Sequence, residues 1–281
     1  MNVVHTVNNN KMKVALVCIA KDEDNYLGEW IDYHILLGID EIFVYQNDWR
    51  FSLNDTYKNV HFIEFDGERK QLAAYSDFLK NYSRDFDYAI VIDVDEFVCL
   101  NCGYDNIKEY LNEFESTSVN HCNIALNWRL YGDNGFSKVV DRNYSLLNRF
   151  IRCQNGLNRH IKMILNLKSR INKTIRFINP HCIAESYSLP CVVNSNFSHY
   201  VRGPFNENED LNNSKAWINH YYCKTHEEFM TNRLNKGKAD FLRSDPAQKL
   251  DLSLFEAHNF NDVESTIARD FYISKMKEND K

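Results

Sequence analysis

Three acidic side chains follow a short apolar segment in the first half of the chain. Residues 88–92 are apolar and run directly into Asp93, Asp95 and Glu96. Carboxylates two residues apart are hard oxygen ligands of the kind that Mg²⁺ and Mn²⁺ use when they hold a diphosphate. The same spacing also occurs by chance in solvated loops. Burying three acids without a cation or hydrogen bonds would cost several kcal/mol, so the apolar surroundings predict a metal site formed by Asp93 and Asp95.

A β-strand is expected to position these acids, and two other predicted strands also end in polar residues. Residues 13–20 form a continuous apolar run followed by the polar residues 21–24. Residues 41–46, which are apolar at 42–45, form a second predicted strand that ends at Asn47 and Asp48. Such runs are typical of strands buried on both faces of a parallel sheet. Because ligands bind beyond the carboxyl ends of these strands, we expect the three polar clusters to meet at one edge.

Helical periodicity alternates with the strands. Apolar residues recur at three- and four-residue spacing over residues 25–37, which Gly38 ends, and over residues 71–82. This alternation predicts an α/β fold, with a mostly parallel sheet and helices on both faces. The other predicted elements are strands at 60–65, 123–130 and 216–223, and helices at 104–114, 225–234 (closed by Gly237) and 263–277.

Composition and charge exclude several classes of protein. The chain has 281 residues, 44% of them hydrophobic, and a formal net charge of −6. This charge gives no basic face of the kind that general nucleic-acid binding requires. The eight cysteines lack zinc-ribbon spacing and are expected to be reduced, and we find neither a signal peptide nor an apolar run long enough to span a membrane. We therefore expect a cytoplasmic protein with no nucleic-acid partner.

Four segments of the chain resemble one group of enzymes. They are VALVCIAKDEDNYLGEWIDYHILLGIDEIFVYQND, DYAIVIDVDEF, NWRLYGDNG and INHYYCKTHEEFMTNRLNKGKAD. In this order they are similar to the family-2-like and family-92-like glycosyltransferases, which have the GT-A fold. The resemblance covers about residues 13–240. It implies a Rossmann-like GT-A domain over residues 1–240 and a C-terminal helical extension over residues 241–281.

The resemblance also implies roles for particular residues. It assigns the donor nucleotide to Ala20, Lys21, Asp22, Glu23, Asn47, Asp48, Asp93, Val94 and Lys224. Asp93 and Asp95 would bind Mn²⁺ or Mg²⁺, and His220 either completes the metal shell or is a histidine of the core. The acids at 22–24 also suit the N-terminus of the following helix. Lys236 and Lys238 could lie over the diphosphate, although a solvated helix face fits them better.

An inverting sugar transfer also needs a general base to take the proton of the acceptor hydroxyl. Asp133, His181 and Glu185 are the candidates, and the sequence does not choose between them. Asp133 stands where the similar enzymes often carry a small residue. Trp128 is suited equally to stacking on a sugar and to packing in the core.

The implied reaction moves a hexose from a UDP-sugar to a glycan acceptor of lipopolysaccharide or capsule. Galactose and an inverting outcome are the family-level expectations. A lipid-linked acceptor would bring the enzyme to the inner face of the membrane. The terminal helix, with Arg269 and Lys275 beside apolar residues, could then contact anionic lipid, although such a helix more often covers the core.

Two other functions are alternatives. A nucleotide-sugar pyrophosphorylase or other nucleotidyltransferase would share the sheet and the acids. It would need a glycine-rich phosphate loop after the first strand, where this chain has AKDEDNYLGEW. A non-catalytic module that binds a glycan or a partner protein would have no need for acids at every strand end.

Overall fold

The computed structural model of the chain describes residues 12–279, except 52, 54–55, 102, 140–144, 170–174, 208 and 235–251. The strands are β1 (Val14–Ala20), β2 (Glu41–Gln46), β3 (Val60–Glu64), β4 (Tyr88–Val91), β5 (Glu96–Leu100), β6 (Asn123–Leu130), β7 (Arg152–Cys153), β8 (Asn158–Asn166), β9 (Phe177–Asn179), β10 (Cys182–Ile183), β11 (Val192–Val193), β12 (Ala216–His220) and β13 (Val263–Glu264). The helices are α1 (Asp24–Leu36), α2 (Gln71–Asn81), α3 (Ile107–Glu115), α4 (Leu146–Arg149), α5 (His226–Glu228), α6 (Leu252–His258) and α7 (Ile267–Asn279). A π-helical turn spans Phe229–Arg233, and 3₁₀ turns span Ser83–Asp85 and Ala184–Tyr187.

Nine of the described strands form one mixed sheet. Its order is β3-β2-β1-β4-β8-β6-β12-β5, and β11 pairs with β6. Strand β8 is antiparallel to β4 and β6, and β5 is antiparallel to β12, whereas the other neighbours are parallel. Seven strands therefore run in one direction, and β5 and β8 run against them. The prediction of an α/β fold with a mostly parallel sheet is confirmed.

Alternate residues of β1 pack into two separate cores on the two faces of the sheet. Leu16 and Cys18 belong to the core that contains residues of α1 and α3. Ala15 and Val17 belong to the core that contains residues of α2. Both faces are buried under helices, and for this reason β1 is apolar at every position. The prediction of helices on both faces is confirmed.

The predicted element boundaries differ from the structure mainly at the C-terminal end of the chain. The helix predicted over 225–234 is instead the short α5 followed by the π-helical turn. The helix predicted over 263–277 begins at Ile267, because residues 263–264 pair with β7. Gly237, predicted to close a helix, lies outside the described residues. Strands β5 and β8 were not predicted.

The C-terminal helix α7 packs against the same core as α1. The rings of Phe271 and Tyr272 lie 5.3 and 6.4 Å from the ring of Tyr33, measured between centroids. Ile273 and Met276 are the large apolar residues of α7 that remain exposed. Most of the apolar side chains that a membrane contact would use therefore cover the core instead. The domain boundary at residue 240 stays a prediction.

Seven cysteines lie within the described residues, and all seven are buried free thiols. Cys102 is outside the described residues. In the same part of the chain, none of the helices has the length and apolar character needed to cross a membrane.

One histidine of the core is held in its neutral form. His34 Nδ1 donates to the Trp30 carbonyl at 2.8 Å, and the Val98 backbone N–H donates to Nε2 at 3.3 Å. Burial lowers the pKa of His34 from 6.5 to about 3. The unfolded chain therefore takes up a proton near pH 6.5 that the folded chain does not take up until about pH 3. Stability from this group is complete above pH 6.5 and is lost as the pH falls.

We expect the substitution His34→Gln to make the fold less sensitive to acid. Between pH 7.5 and pH 5 the parent should lose about 2 kcal/mol of unfolding free energy through His34, and the variant should not show this loss. Urea titrations followed by circular dichroism at both pH values measure the difference. The exposed His121→Gln is the control and should keep the pH dependence of the parent. An unchanged dependence in His34→Gln would contradict the assignment.

Candidate functional site

The carboxyl ends of the parallel strands define the edge where the candidate site lies. The chain adds β2 and β3 on one side of β1 and then returns to place β4 on the other side. Ligands of open α/β sheets bind in the crevice at such a reversal of strand order. The polar residues 21–24 follow β1, residues 47–48 follow β2 and residues 93–95 follow β4. The topology therefore places the three clusters at one edge, as the sequence predicted.

Three of the predicted site residues have a left-handed backbone conformation. The φ angles are 51° at Asp22, 50° at Asp48 and 53° at Lys224. For a residue with a Cβ atom this conformation costs about 1–2 kcal/mol. Such residues are found preferentially at functional sites, where the surrounding structure holds them in place. The turns after β1, β2 and β12 are thus shaped at some energetic cost.

The first part of the acid cluster is built around a buried lysine. Lys162 of β8 places its Nζ 2.9 Å from Asp93 Oδ2 and 3.4 Å from Glu96 Oε2. Asp93 Oδ1 accepts a hydrogen bond from Gln71 Nε2 at 2.9 Å. The Lys162 and Glu96 side chains are 1% and 0% exposed, whereas that of Asp93 is 34% exposed. Lys162 reaches this edge because β8 runs against β4.

The second part of the cluster is centred on Asp95. Its Oδ2 accepts a hydrogen bond from Arg233 Nη1 at 2.9 Å, and its Oδ1 lies 3.5 Å from His220 Nε2. The other ring nitrogen of His220, Nδ1, is buried and has no hydrogen-bond partner among the described residues. Arg233 belongs to the π-helical turn and also lies over the ring of Tyr222, at 3.5 Å from its centroid.

Burial and charge act in opposite directions on the two buried acids. Burial would raise the pKa of Asp95, but His220 and the Arg233 guanidinium hold it well below its usual range. Burial raises the pKa of Glu96 well above its usual range, in spite of the opposing charge of Lys162. The surroundings of Asp95 therefore favour its charged form, whereas burial opposes the charged form of Glu96.

An aromatic cluster adjoins the acids. Trp128 of β6 contacts His160, His181 and His220, with ring centroids 4.9, 5.0 and 4.3 Å away. His181 Nδ1 lies 2.9 Å from the Ile161 carbonyl oxygen, so Nδ1 carries the hydrogen and Nε2 keeps its lone pair. Burial lowers the pKa of His181 to about 3 and that of His160 to about 4. These two rings are neutral at pH 7.

The predicted nucleotide-binding residues after β1 and β2 are linked to one another. Lys21 Nζ lies 3.0 Å from Asp48 Oδ2, and Asp48 Oδ1 accepts a hydrogen bond from the Gly67 N–H at 2.9 Å. Asn47 donates both amide hydrogens to backbone carbonyls, at 2.8 and 3.0 Å. Lys224 Nζ lies 3.2 Å from Glu23 Oε2. Asn47 therefore anchors a loop, while the acids and lysines face one another in pairs.

Two predicted nucleotide-binding residues offer no side chain to a ligand. Ala20 is 2% exposed and Val94 is 3% exposed, and both belong to the larger core. A contact with a nucleotide at either position would have to come from the backbone.

Of the three predicted bases, Asp133 is engaged elsewhere, and Glu185 has no described contact with the acids. Asp133 Oδ1 accepts hydrogen bonds from the Gly135 N–H at 2.8 Å and from Asn261 Nδ2 at 3.1 Å, so this carboxylate joins its own turn to the C-terminal segment. Glu185 lies in the 3₁₀ turn after β10, with a buried Oε2 that has no partner among the described residues. The described contacts bring His181, and neither of these two acids, to the acid and aromatic clusters. Lys236 and Lys238 lie outside the described residues.

Three residues of the site were missed by the sequence argument. Lys162 had a usable signal, because a lysine inside the apolar run IKMIL is rarely buried without an anionic partner. Gln71 and Arg233 had none, since their roles depend on how α2 and the π-helical turn approach the sheet.

The acids can be compared with what a divalent cation needs. Within the described residues, no three His, Cys, Asp or Glu side chains form a group that could hold a metal ion. A cation bound to a nucleotide commonly uses one or two carboxylates, because phosphate oxygens and waters complete its shell. Asp95 already attracts a cationic group, and His220 Nε2 faces the same carboxylate. Asp95 and His220 Nε2 are thus the donors that a cation arriving with a diphosphate could use, and metal binding by these residues and by Asp93 stays a prediction.

Comparisons with known proteins assign no family to the chain. No protein-family model matches it, and no curated protein matches it significantly. Its function has to be argued from the geometry of the site.

We expect Lys162→Met to destabilise the fold strongly. Removing one partner of a buried ion pair costs roughly 3–5 kcal/mol, because the other charge is left buried and unpaired. Adding Glu96→Gln should restore part of this loss. The control is Lys275→Met, because Lys275 pairs at 3.1 Å with Glu278, whose side chain is 63% exposed, and losing such a pair costs less than about 1 kcal/mol. Urea unfolding of the four proteins measures this, and equal losses in the two single variants would refute the assignment.

Proposed function

We propose that this chain is a metal-dependent glycosyltransferase with a GT-A fold, which transfers a hexose from a UDP-sugar to a glycan acceptor. The observation that carries the proposal is the position and charge of Asp93 and Asp95. They follow β4, beside the reversal of strand order, and each contacts a cationic side chain. Such a place suits a diphosphate together with Mn²⁺ or Mg²⁺. The quoted resemblance to family-2-like and family-92-like enzymes points the same way.

The nucleotide end of the donor would bind beside β2. An open depression there is lined by Asp48, Trp49, Arg50 and Asp66. The indole of Trp49 is 39% exposed, and its Nε1 donates to Asp24 Oδ2 at 2.5 Å. An exposed and fixed indole suits stacking on a base. Asp48, with its carboxylate between Lys21 and Gly67, suits hydrogen bonding to a ribose or base.

Sugar transfer with inversion would proceed by attack of an acceptor hydroxyl on the anomeric carbon, while the nucleoside diphosphate leaves from the opposite side. A divalent cation at Asp95 and His220 would neutralise the charge that grows on the leaving diphosphate. The chain itself would hold Asp95 ionised through Arg233 and orient Asp93 through Lys162 and Gln71.

The acceptor would bind along the aromatic cluster. Phe205, which is 39% exposed, contacts the ring of His160, and His160 stacks on Trp128. Aromatic rings bind the apolar faces of sugars. His181 beside Trp128 is the best placed of the predicted bases, although a pKa near 3 makes it a weak proton acceptor. Asp133 and Glu185 stay predictions.

The cellular location and the acceptor belong to the same proposal. A glycan acceptor of lipopolysaccharide or capsule places the reaction in the cytoplasm, at the inner face of the membrane. On α7, the exposed Met276 lies between Lys275 and Lys277 and could contact anionic lipid.

Asp95→Asn tests the proposed function. We expect the parent to be stabilised by one UDP-sugar, UDP-galactose being the first to try, only when Mn²⁺ is present. The variant should lose this thermal shift and at least about a hundredfold of UDP release. Asp85→Asn is the matched control, because Asp85 is exposed in the turn that precedes β4 at the opposite edge of the sheet.

Chromatography of the products separates the alternatives. Release of UDP indicates sugar transfer or hydrolysis, whereas formation of UTP from UDP-sugar and pyrophosphate indicates a pyrophosphorylase. Equal donor binding and turnover by Asp95→Asn and the parent in the same manganese buffer would exclude the proposed role of Asp95.

A further inference from the structure

Arg233 pairs with a carboxylate oxygen of Asp95 that a bound metal ion would also use. Its Nη1 lies 2.9 Å from Asp95 Oδ2, and its guanidinium lies over the Tyr222 ring. The Asp95 side chain is 10% exposed, whereas that of Arg233 is 33% exposed. Of the two partners, Arg233 is therefore the one that reaches solvent.

A metal ion and Arg233 compete for this oxygen of Asp95, so binding of one weakens the interaction of the other. Both are positively charged, and repulsion between them is strong where water is largely excluded. The binding of a divalent cation at Asp95 would therefore weaken the pair with Arg233.

The segment that carries Arg233 is fixed at its beginning. Thr225 and Glu228 form a capping box, and the Glu228 carboxylate also binds Tyr26 and Arg149, the latter at 3.0 Å. Arg233 is the last residue of the π-helical turn that follows. Single π-helical turns occur frequently at functional sites, because their hydrogen bonding departs from that of an α-helix. The side chain can change partner while the start of the segment holds its position beside the edge.

We propose that Arg233 and the donor's cation exchange at Asp95. In the free chain Arg233 neutralises Asp95. When a divalent cation binds together with a nucleoside diphosphate, Arg233 leaves Asp95 and binds the phosphate oxygens, for which a planar guanidinium is well suited. This inference rests on the proposed function and adds a diphosphate-binding residue and an order of events to it.

The exchange predicts opposite effects of one substitution on two ligands. In Arg233→Met nothing competes for Asp95, so Mn²⁺ alone should bind about tenfold more tightly, a difference of about 1.4 kcal/mol. UDP in saturating Mn²⁺ should bind about tenfold more weakly, because its phosphates lose a partner. Arg233→Lys keeps the charge and should bind Mn²⁺ like the parent but UDP more weakly. A merely structural role would weaken both ligands together.

Electron paramagnetic resonance titration of Mn²⁺ and calorimetric titration of UDP measure the two affinities on the full chain. Arg84→Met is the control, because Arg84 is exposed in the turn before β4, and it should leave both affinities unchanged. If the parent binds both ligands and Arg233→Met leaves Mn²⁺ affinity unchanged or lowers it, the exchange is wrong and the proposed function stands. If the parent binds neither Mn²⁺ nor UDP, the proposed function fails, and the exchange fails with it.

Discussion

The candidate site depends on one interaction, the pairing of its three clustered carboxylates with two cationic side chains. Lys162 supplies this charge to Asp93 and Glu96, and Arg233 supplies it to Asp95. Neither cation is near its partner in the sequence. Lys162 arrives through a strand that runs against its neighbours, and Arg233 through a turn after the last strand of the large sheet. The acids that follow β4 are thus stabilised by ion pairs with residues far away in the sequence.

Two regions of different character lie at the same edge of the sheet. On one side are the paired lysines and acids of the turns after β1 and β2, which suit a charged nucleotide. On the other are Trp128 and the neutral rings of His160 and His181, which add no fixed positive charge beside the carboxylates. The separation of charged from aromatic surface is consistent with a donor and an acceptor that differ in charge.

The sequence predicted the central strands and the edge better than the contacts within the site. Strands β1 and β4 are apolar throughout, and β2 is apolar at its four central positions, and each strand is followed by polar residues. Strand β8 was missed because its first residues are polar and its buried Lys162 interrupts the pattern. An aspartate such as Asp133 is a common catalytic base. Its hydrogen bonds with Gly135 and Asn261 depend on the fold and could not be predicted from the sequence. Ion pairs between residues that are far apart in the sequence cannot be predicted from local sequence patterns.

Strand β5 lies at one end of the sheet and is buried at all five of its positions. Helices α1 and α7 both contact it. An uncovered apolar strand at the margin of a sheet is a template on which another molecule can add its own strand. Helix α1 covers this edge, because Trp30 and Tyr33 donate to the carbonyl oxygens of Glu96 and Val98 and His34 Nε2 accepts from the Val98 N–H. Loss of these α1 side chains would leave the backbone of β5 open to strand addition even if the carboxylates and their cations were all intact.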